Sequence, residues 1–264
     1  LAPAFTERTG AANPFNGVDV GQVSTPSFAD LDGDGDLDAV VGNLYGTLRY
    51  FQNTGTTTAA AFTERTGAAN PFNGVDVNWS APSFADLDGD GDLDAVVGEF
   101  NGSLFYFENT GTAIAPAFTA RTGAANPFNG VDVGYRSAPR FADVDGDGDL
   151  DAVVGEQDGN LNYFQNTTPH QPAADFTAQT GAANPFNAVD VGDRSRPSFA
   201  DLDGDGDLDA VVGEVNGILR YSENTGPAIA PAFTARTGAA NPFNGVDVGN
   251  ISTPSFVDLD GDGD

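Results

Sequence analysis

Five copies of one aspartate-rich string, set at a near-constant interval, constrain this chain more than any other feature. "DLDGDGDLDAVVG" occupies residues 30–42, 86–98 and 201–213, "DVDGDGDLDAVVG" occupies 143–155, and "DLDGDGD" occupies 258–264. Measured at the second aspartate of each copy (Asp32, Asp88, Asp145, Asp203 and Asp260), the intervals are 56, 57, 58 and 57 residues. A period of that size in 264 residues predicts a single repeat array. The units run over residues 26–81, 82–138, 139–196 and 197–253. A partial fifth unit covers 254–264, with residues 1–10 expected to supply an outer strand for it.

Aspartates at every second position repel one another unless something offsets their charge. In Asp30-Leu31-Asp32-Gly33-Asp34-Gly35-Asp36-Leu37-Asp38, side-chain oxygens at positions 1, 3, 5 and 9 and the main-chain carbonyl of position 7 can converge on one hard cation. Gly35 permits the sharp turn that brings them round. Calcium fits best, since it accepts about 6 to 8 oxygens in flexible geometry. Magnesium demands a smaller octahedron, and zinc prefers nitrogen or sulfur ligands. The same set recurs as Asp86, Asp88, Asp90, Asp92 and Asp94; as Asp143, Asp145, Asp147, Asp149 and Asp151; and as Asp201, Asp203, Asp205, Asp207 and Asp209. Four calcium ions are expected, one per complete loop. The fifth copy, Asp258, Asp260, Asp262 and Asp264, lacks the position 9 acid. The carboxylate of Asp36, at position 7, is expected to face solvent. An EF-hand is excluded by context, because Ala-Val-Val-Gly after position 9 is β-prone and too short for a helix.

The charge balance agrees with a cation as partner. The chain carries 39 acidic and 10 basic residues, net −29, and most of its aspartates lie in these loops. Nucleic acid and anionic membrane surfaces are excluded as partners, because both require a basic face. No apolar run approaches the roughly 18 residues of a membrane span. With no cysteine, there is no disulfide or thiolate chemistry.

Within one repeat, residues 26–30, 38–42, 47–52 and 61–65 read as strands, with Asn53-Thr54-Gly55 as the turn between the third and fourth. No helix is expected. The runs "AVV" and "LFYF" are apolar without alternation, so these strands must be covered on both faces. Four-stranded sheets of about 57 residues stacked radially satisfy that need, which predicts an all-β propeller of antiparallel four-stranded blades. Four repeats are complete and a fifth is partial.

The stretch "PSFADLDGDGDLDAVVGNLYGTLRYFQNTG" (residues 26–55) resembles the FG-GAP/VCBS repeat, the calcium-loop blade of integrin alpha-chain propellers and of many secreted proteins. The four complete loops agree with the pattern D-x-D-x-D-G-x-x-D. The resemblance implies calcium in the loop joining the first two strands of each blade, and a place outside the cell or on its surface. Weak multi-aspartate sites stay filled only where calcium is about millimolar, which agrees.

Comparing the copies separates framework from variation. "TGAANPF" is identical in all five, whereas the residues after "VDV" and after "VVG" differ. The variable set includes Trp79, Tyr135, Arg136, Arg194, Tyr45 and Phe100, residue types that anchor binding surfaces. The expected function is a calcium-stabilised binding or adhesion module for an unidentified protein or carbohydrate ligand. The alternative is a structural segment of a surface fibre, whose incomplete blade self-associates through its open strand edges. An enzyme is not expected: the sole histidine, His170, has no acid or nucleophile at fixed spacing. The chain opens at Leu1 and stops inside a motif, so it is read as part of something longer.

Overall fold

A computed structural model describes residues 5–56, 58–168, 174–187, 189, 191–227 and 229–259. His170, Asp260, Asp262, Asp264 and residues 1–4 lie outside the described residues. Within these the chain is all-β, with four separate sheets of four antiparallel strands in chain order. The first blade holds β1 (Thr25–Ala29), β2 (Asp38–Gly42), β3 (Leu48–Asn53) and β4 (Phe62–Arg65). The second holds β5 (Ala81–Ala85), β6 (Asp94–Gly98), β7 (Leu104–Asn109) and β8 (Phe118–Arg121). The third holds β9 (Ala138–Ala142), β10 (Asp151–Gly155), β11 (Leu161–Asn166) and β12 (Phe176–Gln179). The fourth holds β13 (Arg196–Ala200), β14 (Asp209–Gly213), β15 (Leu219–Asn224) and β16 (Phe233–Arg236). The innermost strands β1, β5, β9 and β13 pack side by side in that order about an axis, giving a propeller. There is no α-helix among the described residues; each Gly-Ala-Ala of the "TGAANPF" connectors forms one short 3₁₀ turn.

The continuous apolar runs are explained by where the cores lie. Every residue of β2, β6, β10 and β14 is buried. Each large cluster joins two blades: Val40 and Tyr50 of the first pack with Val97 and Phe107 of the second, and Val96 and Tyr106 of the second with Val154 and Phe164 of the third. Stacked sheets cover both faces of a strand, so alternation is not required.

The identical connectors are spacers between blades. Asn70 Nδ2 donates to Leu48 O on the first blade (3.0 Å), and its Oδ1 accepts from the backbone N–H of Phe72 (2.9 Å). This aims Phe72, which is 1% exposed, onto Phe118 of the second blade, with ring centroids 4.4 Å apart. Burying such a ring contributes about 1.5–3 kcal/mol. Phe128 and Phe186 repeat the arrangement against Phe176 and Phe233.

A second latch uses the glycine that ends "DAVVG". A side-chain carbon at Gly42 would lie 2.2 Å from Ser80 O, in the segment that enters β5 of the next blade, so only glycine lets that segment approach. Fully buried Ser80 then accepts from Asn43 N–H (3.0 Å) and donates to Thr47 O (3.2 Å). Ser137, Ser195 and Ser252 do the same against the second, third and fourth blades.

No strand of the expected partial fifth blade is seen among the described residues. Residues 5–9 and 253–257 have no ladder partner among the described residues. Phe5 nevertheless stacks on Phe243 (4.9 Å), in the manner of the other connector pairs. Thr253 Oγ1 donates to Ser24 O (3.0 Å), placing this segment beside the first blade.

The strand directions separate two faces. The aspartate loops leave the Ala29 end of β1 and its equivalents; the "VDV" entry loops and the β2–β3 turns gather at the Thr25 end. A funnel of about 430 Å³ runs along the axis past Ser27, Ser83, Arg140 and Ser198.

Candidate metal centre

Each aspartate loop is wound by its own carboxylates. Asp30 Oδ1 accepts from Gly33 N–H (2.7 Å) and its Oδ2 from Gly35 N–H (3.0 Å), while Gly35 takes φ +92°, the left-handed region expected at the sharp turn. Asp34 Oδ1 accepts from Asp36 N–H (3.1 Å). The second and fourth loops repeat the first two contacts through Asp86 and Asp201.

This winding brings positions 1, 3 and 5 together. In Asp30/Asp32/Asp34, Asp86/Asp88/Asp90, Asp143/Asp145/Asp147 and Asp201/Asp203/Asp205, one carboxylate oxygen from each residue lies within 4.8 Å of the others. Such clustering alone does not make a metal site, but the unpaired atoms favour one. Asp32 Oδ1, Asp36 Oδ1, Asp92 Oδ1, Asp143 Oδ1, Asp145 Oδ1, both oxygens of Asp149, and Asp207 Oδ1 are buried with no hydrogen-bond donor. Buried acceptor oxygens without a donor are costly, and a hard cation is the group that satisfies several at once.

One position-specific expectation needs correction. Asp36 does not turn to solvent: it is 8% exposed, because the Asp34 contact curls the backbone and carries position 7 inward. Burial, then the charge of Asp34, raises its pKa. Position 9 is set deeper than the three-acid cluster. Asp38 is fully buried behind it, with Oδ2 accepting from Tyr50 Oη (2.7 Å) and Leu31 N–H (3.3 Å) and Oδ1 from Asn53 N–H (2.7 Å). Asp94, Asp151 and Asp209 keep the same three partners. These acids fix the loop to β3 and its equivalents, leaving about one lone-pair site each for an ion.

Burial raises the pKa of particular acids in these loops. Burial, opposed by the Tyr50 and Asn53 hydrogen bonds, pushes Asp38 up to about 6. Burial pushes Asp151 up to about 7. Burial followed by the Asp94 charge takes Asp88 to about 6, and burial followed by Asp147 takes Asp149 to about 6.

A residue not singled out in the sequence stands beside each loop. Gln52 Nε2 donates to Asp32 Oδ2 and is itself held by Arg65 Nε (2.6 Å), and Gln165 donates to Asp145 (2.6 Å). The equivalent Glu108 and Glu223 instead pair with Arg121 and Arg236. The alternation Gln, Glu, Gln, Glu at this position was the available signal. Asp32, Gln52 and Arg65 also edge a cavity of about 410 Å³, whose apolar wall includes Ala68, Ala69 and Pro71.

On the opposite face the variable residues are only partly a surface. Phe100 lies 6.2 Å from Trp79 and 5.6 Å from Tyr135. Arg136 sits 4.2 Å over the Trp79 ring and Arg194 5.8 Å from it. Trp79 is 6% exposed and covered by Arg136, so it is not a free platform for a sugar. Tyr45 stands apart, exposed beside Gly21. Glu99 and Glu156, in the other variable cluster, are buried acceptors for their own turn amides.

Comparison with known proteins adds the following. A family model described as FG-GAP-like repeat matches residues 30–97, 86–154 and 143–212. No curated protein matches. Among solved structures, the chain is similar to an Agrocybe aegerita lectin described as recognising non-reducing terminal N-acetylglucosamine, at 22% identity and TM-score 0.46, over 81% of this chain and 52% of the lectin. It is also similar to part of the Photorhabdus luminescens Tc holotoxin pore, at 23% identity and TM-score 0.33, over 83% of this chain and 9% of that one. The chain thus spans about half the length of the lectin.

Proposed function

The chain belongs to the FG-GAP-like repeat family, and from that premise we propose that it is a calcium-stabilised, extracellular binding module rather than an enzyme. The observation that supports this most is the set of buried carboxylate oxygens without donors in all four complete aspartate loops. In each loop, positions 1, 3 and 5 would hold the ion, with the position 7 carboxylate available as a further oxygen. The ion would supply positive charge at the centre of the loop, offsetting the repulsion that the aspartates otherwise impose on the β1–β2 connection. A blade so fixed presents its loops and inter-blade clefts, including the one beside Asp32, to a protein or glycan ligand.

The test is a glycan and protein-ligand screen of the calcium-loaded chain, with light scattering in parallel. The expected result is ligand capture that chelation abolishes, by chains that remain single in calcium. Chains that elongate in calcium and capture nothing would favour the fibre-segment reading instead.

A further inference from the structure

The arginines of this acidic protein are not distributed evenly. Three of the ten, Arg49, Arg121 and Arg236, pair with glutamates on the outer strands. Four others, Arg136, Arg140, Arg194 and Arg196, lie on the innermost strands β9 and β13 or in the entry loops that lead into them. Arg140 and Arg196 each depart from their equivalents. Arg196 opens β13 where Thr25, Ala81 and Ala138 open β1, β5 and β9; Arg140 stands where the other innermost strands have Ser27, Ser83 and Ser198. Arg136 and Arg194 share the entry-loop position of Val23, Trp79 and Ile251.

That entry-loop position is strained in every repeat. Val23, Trp79, Arg136, Arg194 and Ile251 have φ between +59° and +63°, which is unfavourable for any side chain and most for the β-branched ones. The conformation is held because the backbone N–H bonds a carbonyl of the preceding blade, Phe100 O for Arg136 (2.8 Å) and Gln157 O for Arg194 (2.8 Å). The guanidinium groups of Arg136 and Arg194 are thereby brought to the one tryptophan of the chain.

These donors are unequally satisfied. Arg140 is satisfied by carbonyls of three innermost strands, Pro26, Pro82 and Pro139. Arg136 Nη1 donates to Gln157 Oε1. Against these, Arg196 is 3% exposed and its Nε, Nη1 and Nη2 all lack an acceptor, as do Arg136 Nε, Arg194 Nε and Trp79 Nε1. The charges that bear on Arg196 are those of Arg140, Arg136 and Arg194, and together with burial they lower its pKa to about 9, which leaves it charged at neutral pH. A buried guanidinium without an acceptor is costly, and no acid among the described residues pairs with it. The missing partner is compact, anionic and rich in acceptor oxygens, the class that forked guanidinium donors match.

We propose that this cluster is an anion site, in which Arg196, assisted by Arg136, Arg194 and the indole N–H of Trp79, takes an oxyanion: a carboxylate, phosphate or sulfate group. It lies at the entry-loop face, the opposite end of the innermost strands from the aspartate loops. The site gives the binding-module reading a ligand class and rests on that reading only for the biological use of the anion; the binding itself stands or falls separately.

Trp79 provides the measurement, being the only tryptophan. The calcium-loaded chain is titrated with sodium phosphate, sodium sulfate and sodium glucuronate at constant ionic strength, and indole emission is followed. The expected result is a saturable change at one anion per chain for at least one of the three, with sodium chloride giving none. A response to phosphate or sulfate alone identifies a tetrahedral group, and a response to glucuronate alone a carboxylate on a sugar. Arg196→Met is expected to weaken the response about thirtyfold or more. The same variant is expected to melt higher in anion-free buffer, because an unpaired buried charge is gone. Arg194→Gln, at a less buried position, weakens the response with little change in melting and serves if Arg196→Met does not fold. The absence of a saturable response to all three anions, or an unchanged response in both variants, overturns the proposal. Ligand capture in the calcium-dependent screen would then still uphold the binding-module reading.

Discussion

Replacing Asp34, Asp90, Asp147 and Asp205 together by alanine is expected to lower the melting temperature in calcium by about 10 °C or more. In chelator the same protein should melt slightly above the parent. The position 5 carboxylate belongs to each three-acid cluster, and its own contact with position 7 is one exposed or part-buried hydrogen bond. Removing it therefore sacrifices little besides the ion. If each site has the millimolar-range affinity usual for extracellular modules, about 10 mM calcium is about 10 to 100 times the dissociation constant. Binding at that ratio stabilises by about 1.4 to 2.7 kcal/mol per site. Summed over four sites this becomes the largest adjustable term in the stability of the chain. In chelator only repulsion is lost, which reverses the sign. Calorimetry in the two buffers checks both halves.

The second large effect is a reversal of pH dependence. Burial holds Asp38, Asp88 and Asp149 at about 6 and Asp151 at about 7, all above the ordinary carboxylate value. In that range the folded, cation-free chain keeps protons that the unfolded chain has already released. Its stability therefore falls as pH rises from about 4 to about 7. With calcium saturating, the ion requires the ionised form and protons compete with it, so stability rises over the same window. Melting curves at pH 5 and pH 7.5, each with calcium and with chelator, should cross. Parallel trends in the two buffers would separate these acids from cation binding.

How much of this was legible in the residues depends on the kind of information involved. The period, the four-strand meander and the radial stacking follow from repetition and unbroken apolar runs, and "AVV" at the centre of each blade is buried on both sides as that pattern requires. The clustering of positions 1, 3 and 5 was also legible, since their spacing alone turns them to one side of a tight loop. The anchoring of position 9 was not, because a linear pattern does not show that Asp38 accepts from Tyr50, Leu31 and Asn53. The Asp36 orientation failed for a related reason: it depends on a backbone contact to Asp34. The serine latch and the axial arginines were detectable in principle. Ser24, Ser80, Ser137, Ser195 and Ser252 are identical in all copies, Arg140 breaks an otherwise uniform "PSF", and Arg196 precedes that triplet where the other copies have Thr or Ala. What the sequence could not supply was that Arg136 and Arg194, more than 50 residues apart, meet over Trp79, and that their charges also bear on Arg196.

Counting bound ions tests the central claim most directly. Equilibrium dialysis of metal-stripped protein against calcium, with the metal measured elementally and the melt recorded on the same samples, should give four ions per chain, one for each complete aspartate loop, and a melting temperature that climbs as they fill. Dialysed protein that retains no calcium above the buffer level, or that binds it without any change in melting, would contradict the account.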